Sequence, residues 1–207
     1  LVPDVGGTYL LAKAPWRLGE YLGITGTRMN AGDAIHAGFA DHFIPQEKWA
    51  DLIAQLSETG DLSLIDQVSA TPPEGTVSAQ AAEIDTHFSG DTLSDIVASL
   101  KSSDSEFAAA TLKALSRGSP LSMACTVEML HRLEGPGTDI RQALDLEYRF
   151  THRAMEHGDF LEGIRAAVID KDRSPKWQHD LDAPPQQAAD AMLTPLGADA
   201  LTFQKEG

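Results

Sequence analysis

Apolar residues recur along most of this 207-residue chain at helical spacing, three and four apart. Leu18, Tyr21 and Leu22 predict a helix over 15–26, with Pro15 suited to its first position and Gly26 to its stop. Asn30 with Asp33 has the spacing of a capping box for a short helix that stops at Gly38. Phe39 to Ile44 reads as a short strand ended by Pro45. Trp49, Leu52, Ile53 and Leu56 then predict an amphipathic helix over 46–58. After the Thr71-Pro72-Pro73-Glu74-Gly75 loop the pattern is helical again. One helix centres on Ile84 and Phe88. The next runs through Leu93, Ile96, Val97 and Leu100, behind a Thr92/Asp95 capping box. A third spans 105–117, and a fourth starts at Ser119-Pro120. The longest, about 139–157, is expected behind a Thr138 cap, with Ile140, Leu144, Tyr148, Thr151 and Met155 as one buried stripe. Asp159 and Glu162 have capping-box spacing for a last helix with Leu161, Ile164 and Val168 as its apolar face. From Asp180 the pattern weakens to a loosely docked tail, with Leu193, Leu196, Leu201 and Phe203 as its candidate anchors.

The start of the chain follows a different rule. In Val2-Pro3-Asp4-Val5-Gly6-Gly7-Thr8, Pro3 cannot donate a ladder hydrogen bond, and the two glycines allow a tight turn and a close approach. Thr8 to Lys13 then reads as a short helix. Asp4 stands just before the glycines. It is either a turn or cap residue, or a carboxylate placed at a pocket for acid–base work.

Charge and cysteine usage narrow the function classes. With 31 acidic and 16 basic residues the net charge is −15, which lacks the basic face that nucleic acid or an anionic membrane requires. A phosphorylated ligand needs only a few local cations, and Lys171, Arg173 and Lys176 form such a group; the alternative is a solvated helix end. Cys125 is the single cysteine, which rules out an internal disulfide and fits a reducing cytoplasm. A buried, inert thiol is the expectation for it. No apolar run of about 18 residues predicts a membrane span. No metal-ligand motif, phosphate loop or nucleophile elbow is present. His36 and His42 are expected to be surface or internally satisfied histidines.

Four stretches carry a family resemblance. Pro3-Asp4-Val5-Gly6-Gly7-Thr8 resembles the run that follows the active-site strand in the 3-hydroxyisobutyryl-CoA hydrolases of the crotonase (enoyl-CoA hydratase/isomerase) superfamily. Tyr21 to Gly26, Ala31, Asp33-Ala34, Gly38 and Asp41 to Pro45 resemble a core segment of that superfamily. Asp159 to Trp177, with its Asp170-Lys171-Asp172 run, resembles the hydrolase branch more than the simple hydratases. Ser119-Pro120-Leu121-Ser122 is similar to a run preceding a long helix in that branch.

The resemblance implies an α/β fold: the end of a crotonase ββα spiral core, then a mostly helical C-terminal region, with this chain itself mainly α. It implies residues 1–60 as the last part of the core, 61–181 as the helical region and 182–207 as the tail. It implies Asp4 as a catalytic acid, whose partner Glu lies eight residues upstream and so before Leu1, together with both loops of the oxyanion hole. The chain is therefore expected to be the C-terminal half, or slightly more, of a longer enzyme. The implied reaction is hydrolysis of a short (3-hydroxy)acyl-CoA thioester in valine catabolism, with Lys171 and Arg173 near the nucleotide end of CoA. No separate cofactor and no metal is implied, since CoA belongs to the substrate, and a homo-oligomer is open. Two alternatives remain: an enoyl-CoA hydratase or isomerase, in which Gly or Ala tends to stand at the position of Asp4, and a non-catalytic homologue that only binds CoA esters.

Overall fold

The computed structural model describes residues 1–203. In chain order the helices are α1 (Gly7–Ala12), α2 (Leu18–Thr25), α3 (Ala31–His36), α4 (Trp49–Thr59), α5 (Ser63–Val68), α6 (Ala81–His87), α7 (Leu93–Lys101), α8 (Glu106–Leu115), α9 (Pro120–Arg132), α10 (Ile140–His157), α11 (Phe160–Ile164) and α12 (Gln186–Met192). In space the chain forms two compact units, 28–82 and 1–27 with 83–207. This grouping cuts the chain near residues 27 and 82.

The unit of residues 28–82 is built around Asp33. The expected capping box forms: Asn30 accepts from the Asp33 amide at 2.9 Å, and the Asp33 carboxylate accepts from the Asn30 amide at 3.2 Å. The same buried carboxylate accepts from Val77 N at 2.8 Å, Ser78 N at 3.1 Å and Thr76 Oγ1 at 3.2 Å. One side chain thus starts α3 and fixes a loop more than forty residues later. The strand expected at 39–44 does not form; among the described residues there is one isolated antiparallel bridge, Phe43 to Ala70. The amides of Phe39 and Ala40 both donate to Ala34 O, so the helix end consumes donors that a ladder would need. The α4 stripe is also not buried as expected. Leu52 is buried, but Trp49 and Ile53 are more than half exposed.

The other unit packs around α9. Ser119 caps it by accepting from Ser122 N at 3.2 Å, and Pro120 occupies its first turn. The run Pro120 to Val127 carries no charge, so every side of the helix can be buried, and all eight residues are. Helices α1, α2, α7, α10 and α12 pack on it. Gly19 lets α2 meet α1, because a Cβ there would lie 2.1 Å from Leu11 O. Tyr21 sets its ring against the edge of Phe88, centroids 5.3 Å apart.

Three expectations fail here. Asp139, not Thr138, caps α10, in a capping box with Gln142. The buried face of α10 is Ala143, Leu146, Glu147, Phe150 and Ala154, while Ile140 and Met155 are about half exposed. Two alanines allow close helix approach, and a carboxylate sits in the stripe because it has partners there. The described part of the tail, to residue 203, is docked through α12. Ala189, Met192 and Leu193 are buried, and Arg132 and Arg149 donate to Leu193 O while Arg153 donates to Met192 O and Thr194 O. Leu196 and Leu201 are half-buried, and Phe203 is exposed with the Arg141 guanidinium over its ring.

Candidate active site

Asp4 lies on a turn whose backbone is held from both sides. Val2 is buried, and Asp4 O accepts from Gly7 N at 2.8 Å. Val5 and Gly6 both adopt left-handed backbone, with φ of 55° and 86°; the first is a strained choice for a β-branched residue. A Cβ at Gly6 would meet Ile140 Cδ1 at 3.0 Å. The Glu147 carboxylate, buried on α10, accepts from Gly6 N at 2.9 Å, Thr8 N at 3.0 Å and Thr8 Oγ1 at 2.5 Å. The Asp4 side chain does not cap α1, whose N-cap is Gly6. It is exposed on the surface of the described residues, free to meet a ligand, a water molecule or another part of a longer chain.

Beside this turn a cavity of about 470 Å³ opens, lined by Leu1, Met123, Phe160, Ile164, Val168 and Trp177 among others. Leu1 connects it by three residues to Asp4. Its polar wall is Ser119, Ser122, Thr126 and Asp159. Asp159 was expected to cap α11 but makes no cap bond. Its buried carboxylate instead accepts from Ser119 Oγ at 2.5 Å and Gln178 N at 2.9 Å, tying α9 and the segment after α11 together at the cavity wall. A second cleft shares Arg117, Gly163, Ala167 and Trp177 with the cavity and adds Arg173 and Pro175. Among the described residues neither Arg117 nor Arg173 has an ion-pair partner.

The segment carrying Lys171 and Arg173 is wound around a different cation. After α11 the chain makes a π-helical turn, Arg165–Ile169, closed by Asp170 N to Arg165 O at 2.8 Å. The expected apolar face is not buried, since Leu161 and Val168 are exposed. The Arg165 guanidinium binds Glu162, Asp170 and Asp172 at 2.7 Å each. It also donates to Ser174 O at 3.1 Å. Arg165 and the Lys176 amide hold the Glu162 carboxyl down at about 2. Lys171 and Arg173 adopt left-handed backbone, φ 56° and 52°, and are exposed. The structure brings Arg173 to the cleft beside Arg117; Lys171 lies outside the linings of both cavities. Sequence reasoning missed Arg117, Glu147 and Arg165. The Glu162/Arg165 spacing was a usable signal for the last; the partners of the others lie far away in sequence.

Two further groups have no part in this arrangement. Glu20, His131 and Glu134 place possible ligand atoms within 4.8 Å of one another. Arg17 Nη1 already donates to both carboxylates at 2.8 Å, so a guanidinium serves the cluster. Glu20 beside it holds His131 above the ordinary imidazole range. Burial pushes Cys125 up to about 12, which leaves an inert thiol.

The family model for enoyl-CoA hydratase/isomerase matches residues 1–193. The chain belongs to the enoyl-CoA hydratase/isomerase family. The mitochondrial 3-hydroxyisobutyryl-CoA hydrolase of Homo sapiens is 33% identical over 98% of this chain and 55% of its own length. That of Xenopus laevis is 34% identical over 96% of this chain and 54% of its own length. Among solved structures, an enoyl-CoA hydratase from Rhodobacter sphaeroides 2.4.1 is 57% identical with a TM-score of 0.89, over 98% of this chain and 59% of that one. A carnitinyl-CoA dehydratase from Mycobacterium thermoresistibile is 31% identical, also with a TM-score of 0.89, over all of this chain and 59% of that one. The fold is thus the crotonase fold, and this chain spans somewhat more than half the length of the relatives it matches. Its own share is mainly helical, as expected. Among the described residues no helix is long and apolar enough to cross a membrane.

Proposed function

We propose that this chain is the C-terminal part of an acyl-CoA thioester hydrolase acting on a short 3-hydroxyacyl-CoA such as 3-hydroxyisobutyryl-CoA, as in valine breakdown. The observation that carries this reading is the match to 3-hydroxyisobutyryl-CoA hydrolases at 33–34% identity over nearly the whole chain, with Asp4 present in the glycine turn. Hydrolysis needs water to attack the thioester carbonyl, donors for the oxyanion, and proton delivery as the CoA thiolate leaves. Asp4 orients water or accepts a hydrogen bond from the substrate hydroxyl. The complementary Glu and the oxyanion N–H groups belong to sequence preceding Leu1. The cavity beside Leu1 takes the apolar part of the substrate, and Arg117 with Arg173 faces its phosphates. Lys171, exposed on the same turn, adds charge near them. No cofactor beyond substrate CoA is called for. A free, buried Cys125 suits a reducing compartment such as the cytoplasm.

A second reading, hydration of an enoyl-CoA, is favoured by the 57% identity to the Rhodobacter sphaeroides enoyl-CoA hydratase. One experiment separates the two. The full-length protein is given 3-hydroxyisobutyryl-CoA and crotonyl-CoA in parallel, following free thiol and the conjugated enoyl absorbance. Thiol release from the hydroxy substrate is the expected result. Loss of enoyl absorbance without thiol release makes the protein a hydratase. Tight binding of both esters with no turnover leaves only a CoA-ester-binding homologue.

A further inference from the structure

We propose that Glu147 is a positioning residue for Asp4: from α10 it fixes the backbone of the glycine turn from which the Asp4 side chain projects. This inference rests on the hydrolase reading for the identity of the reaction, but not for the geometry.

The turn has an intrinsic problem. Val5 is a β-branched residue in left-handed backbone, a strained conformation that survives only where surrounding contacts over-determine it. Gly6, Gly7 and Thr8 could relax it in several ways, because glycine samples both halves of backbone space. Three donors instead converge on one carboxylate: Gly6 N, Thr8 N and Thr8 Oγ1. These come from 139 and 141 residues away in the chain. Glu147 is 3% exposed and Thr8 is fully buried, so water cannot substitute for either partner. Both carboxylate oxygens are engaged, Oε2 by Gly6 and Oε1 by Thr8. That two-point grip fixes direction as well as distance. The Asp4 carbonyl is held in turn by Gly7 N, so the path from Glu147 to the Asp4 backbone crosses two peptide units. A buried carboxylate must find partners wherever it sits, and this one has its three side-chain bonds in the turn that carries Asp4.

The test uses the full-length enzyme with Glu147→Gln, which keeps the shape but turns one acceptor into a donor facing an N–H. Phe150→Leu, on the same buried face of α10, controls for lost core stability. Expected for Glu147→Gln is a fall in kcat of about tenfold to a hundredfold with KM within about threefold, and faster amide hydrogen exchange confined to Gly6–Thr8. Thr8→Val, which removes one of the three donors, gives a smaller loss in the same direction and serves if Glu147→Gln does not fold. Unchanged kcat in a folded variant, or a loss that Phe150→Leu reproduces at equal thermal stability, overturns the proposal. The exchange measurement needs no reaction: if the wild type releases no thiol, the hydrolase reading fails while accelerated exchange at Gly6–Thr8 still supports the grip, and kcat is then read on crotonyl-CoA.

Discussion

Asp4 combines a fixed backbone with an unengaged side chain. Its carbonyl is bonded to Gly7 N, while its carboxylate is exposed and caps nothing. A residue serving only the turn would be expected to spend its oxygens on the free N–H groups of α1, and Glu147 has taken that work instead. Replacing Asp4 with Asn keeps size and polarity but removes the capacity to accept a proton. In the full-length enzyme Asp4→Asn is expected to lower kcat for thiol release by roughly two to four powers of ten, with an unchanged thermal unfolding midpoint. Turnover near that of the wild type would remove Asp4 from the chemistry. The same scale explains what sequence could and could not reveal. Asp4 was legible because its neighbours in the chain form its motif. Glu147, Arg117 and the Asp159–Ser119 pair were not, because each acquires its meaning from residues 40 or more positions away, or from a cleft that only the folded chain assembles.

At the scale of elements, some local signals are realised and others are overridden: Asp159, at capping-box spacing from Glu162, bonds Ser119 and Gln178 instead. The boxes Asn30/Asp33 and Thr92/Asp95 formed as their spacing required, since both partners lie within one helical turn. The strand at 39–44 failed because its fate depended on which carbonyl captured the Phe39 and Ala40 amides. The buried stripe of α10 runs through Ala143 and Ala154, small residues that a pattern of large apolar side chains does not mark. Asp33 illustrates a local motif with a distant load. Burial pushes its carboxyl up, but the amides of Ser78, Asn30 and Val77 and the Thr76 hydroxyl outweigh it and hold it below the ordinary range. Asp33→Ala leaves two loop amides without their acceptor and is expected to cost on the order of 3 kcal/mol. A carboxyl with a lowered folded pKa contributes stability above its unfolded value and loses it as pH falls through the folded one. Denaturant unfolding should therefore show the full gap between wild type and Asp33→Ala from about pH 5 to 7, narrowing below about pH 4. A gap independent of pH would mean that the carboxylate charge is not what the loop amides use.

Within the unit of residues 1–27 and 83–207, the last helix closes the core. Cys125 is fully buried, and its sulfur lies 4.0 Å from Ala189 O on α12. Burial pushes its thiol up to about 12, so at neutral pH almost none is thiolate. Three arginines from α9 and α10 clamp the end of α12 through the carbonyls of Met192, Leu193 and Thr194. Bonds of this charge-assisted kind are worth about 1.5–3 kcal/mol each, and they add to the burial of Ala189, Met192 and Leu193 in docking α12. Cys125 is thereby a reporter of that docking. In the wild type an aromatic disulfide reagent is expected to leave Cys125 unmodified on the timescale of a thiol-release assay. Arg149→Ala with Arg153→Ala removes most of the clamp without touching the thiol. Labelling is then expected to speed up by about tenfold or more under native conditions, through local detachment of α12 rather than global unfolding. The two routes differ in denaturant dependence. Local detachment exposes little surface and gives a labelling rate nearly flat at low urea, whereas global unfolding gives a steep rise from the start. A steep rise in the double variant would mean that α12 leaves only when the whole unit does, and that the clamp belongs to the core rather than to a separable closing helix.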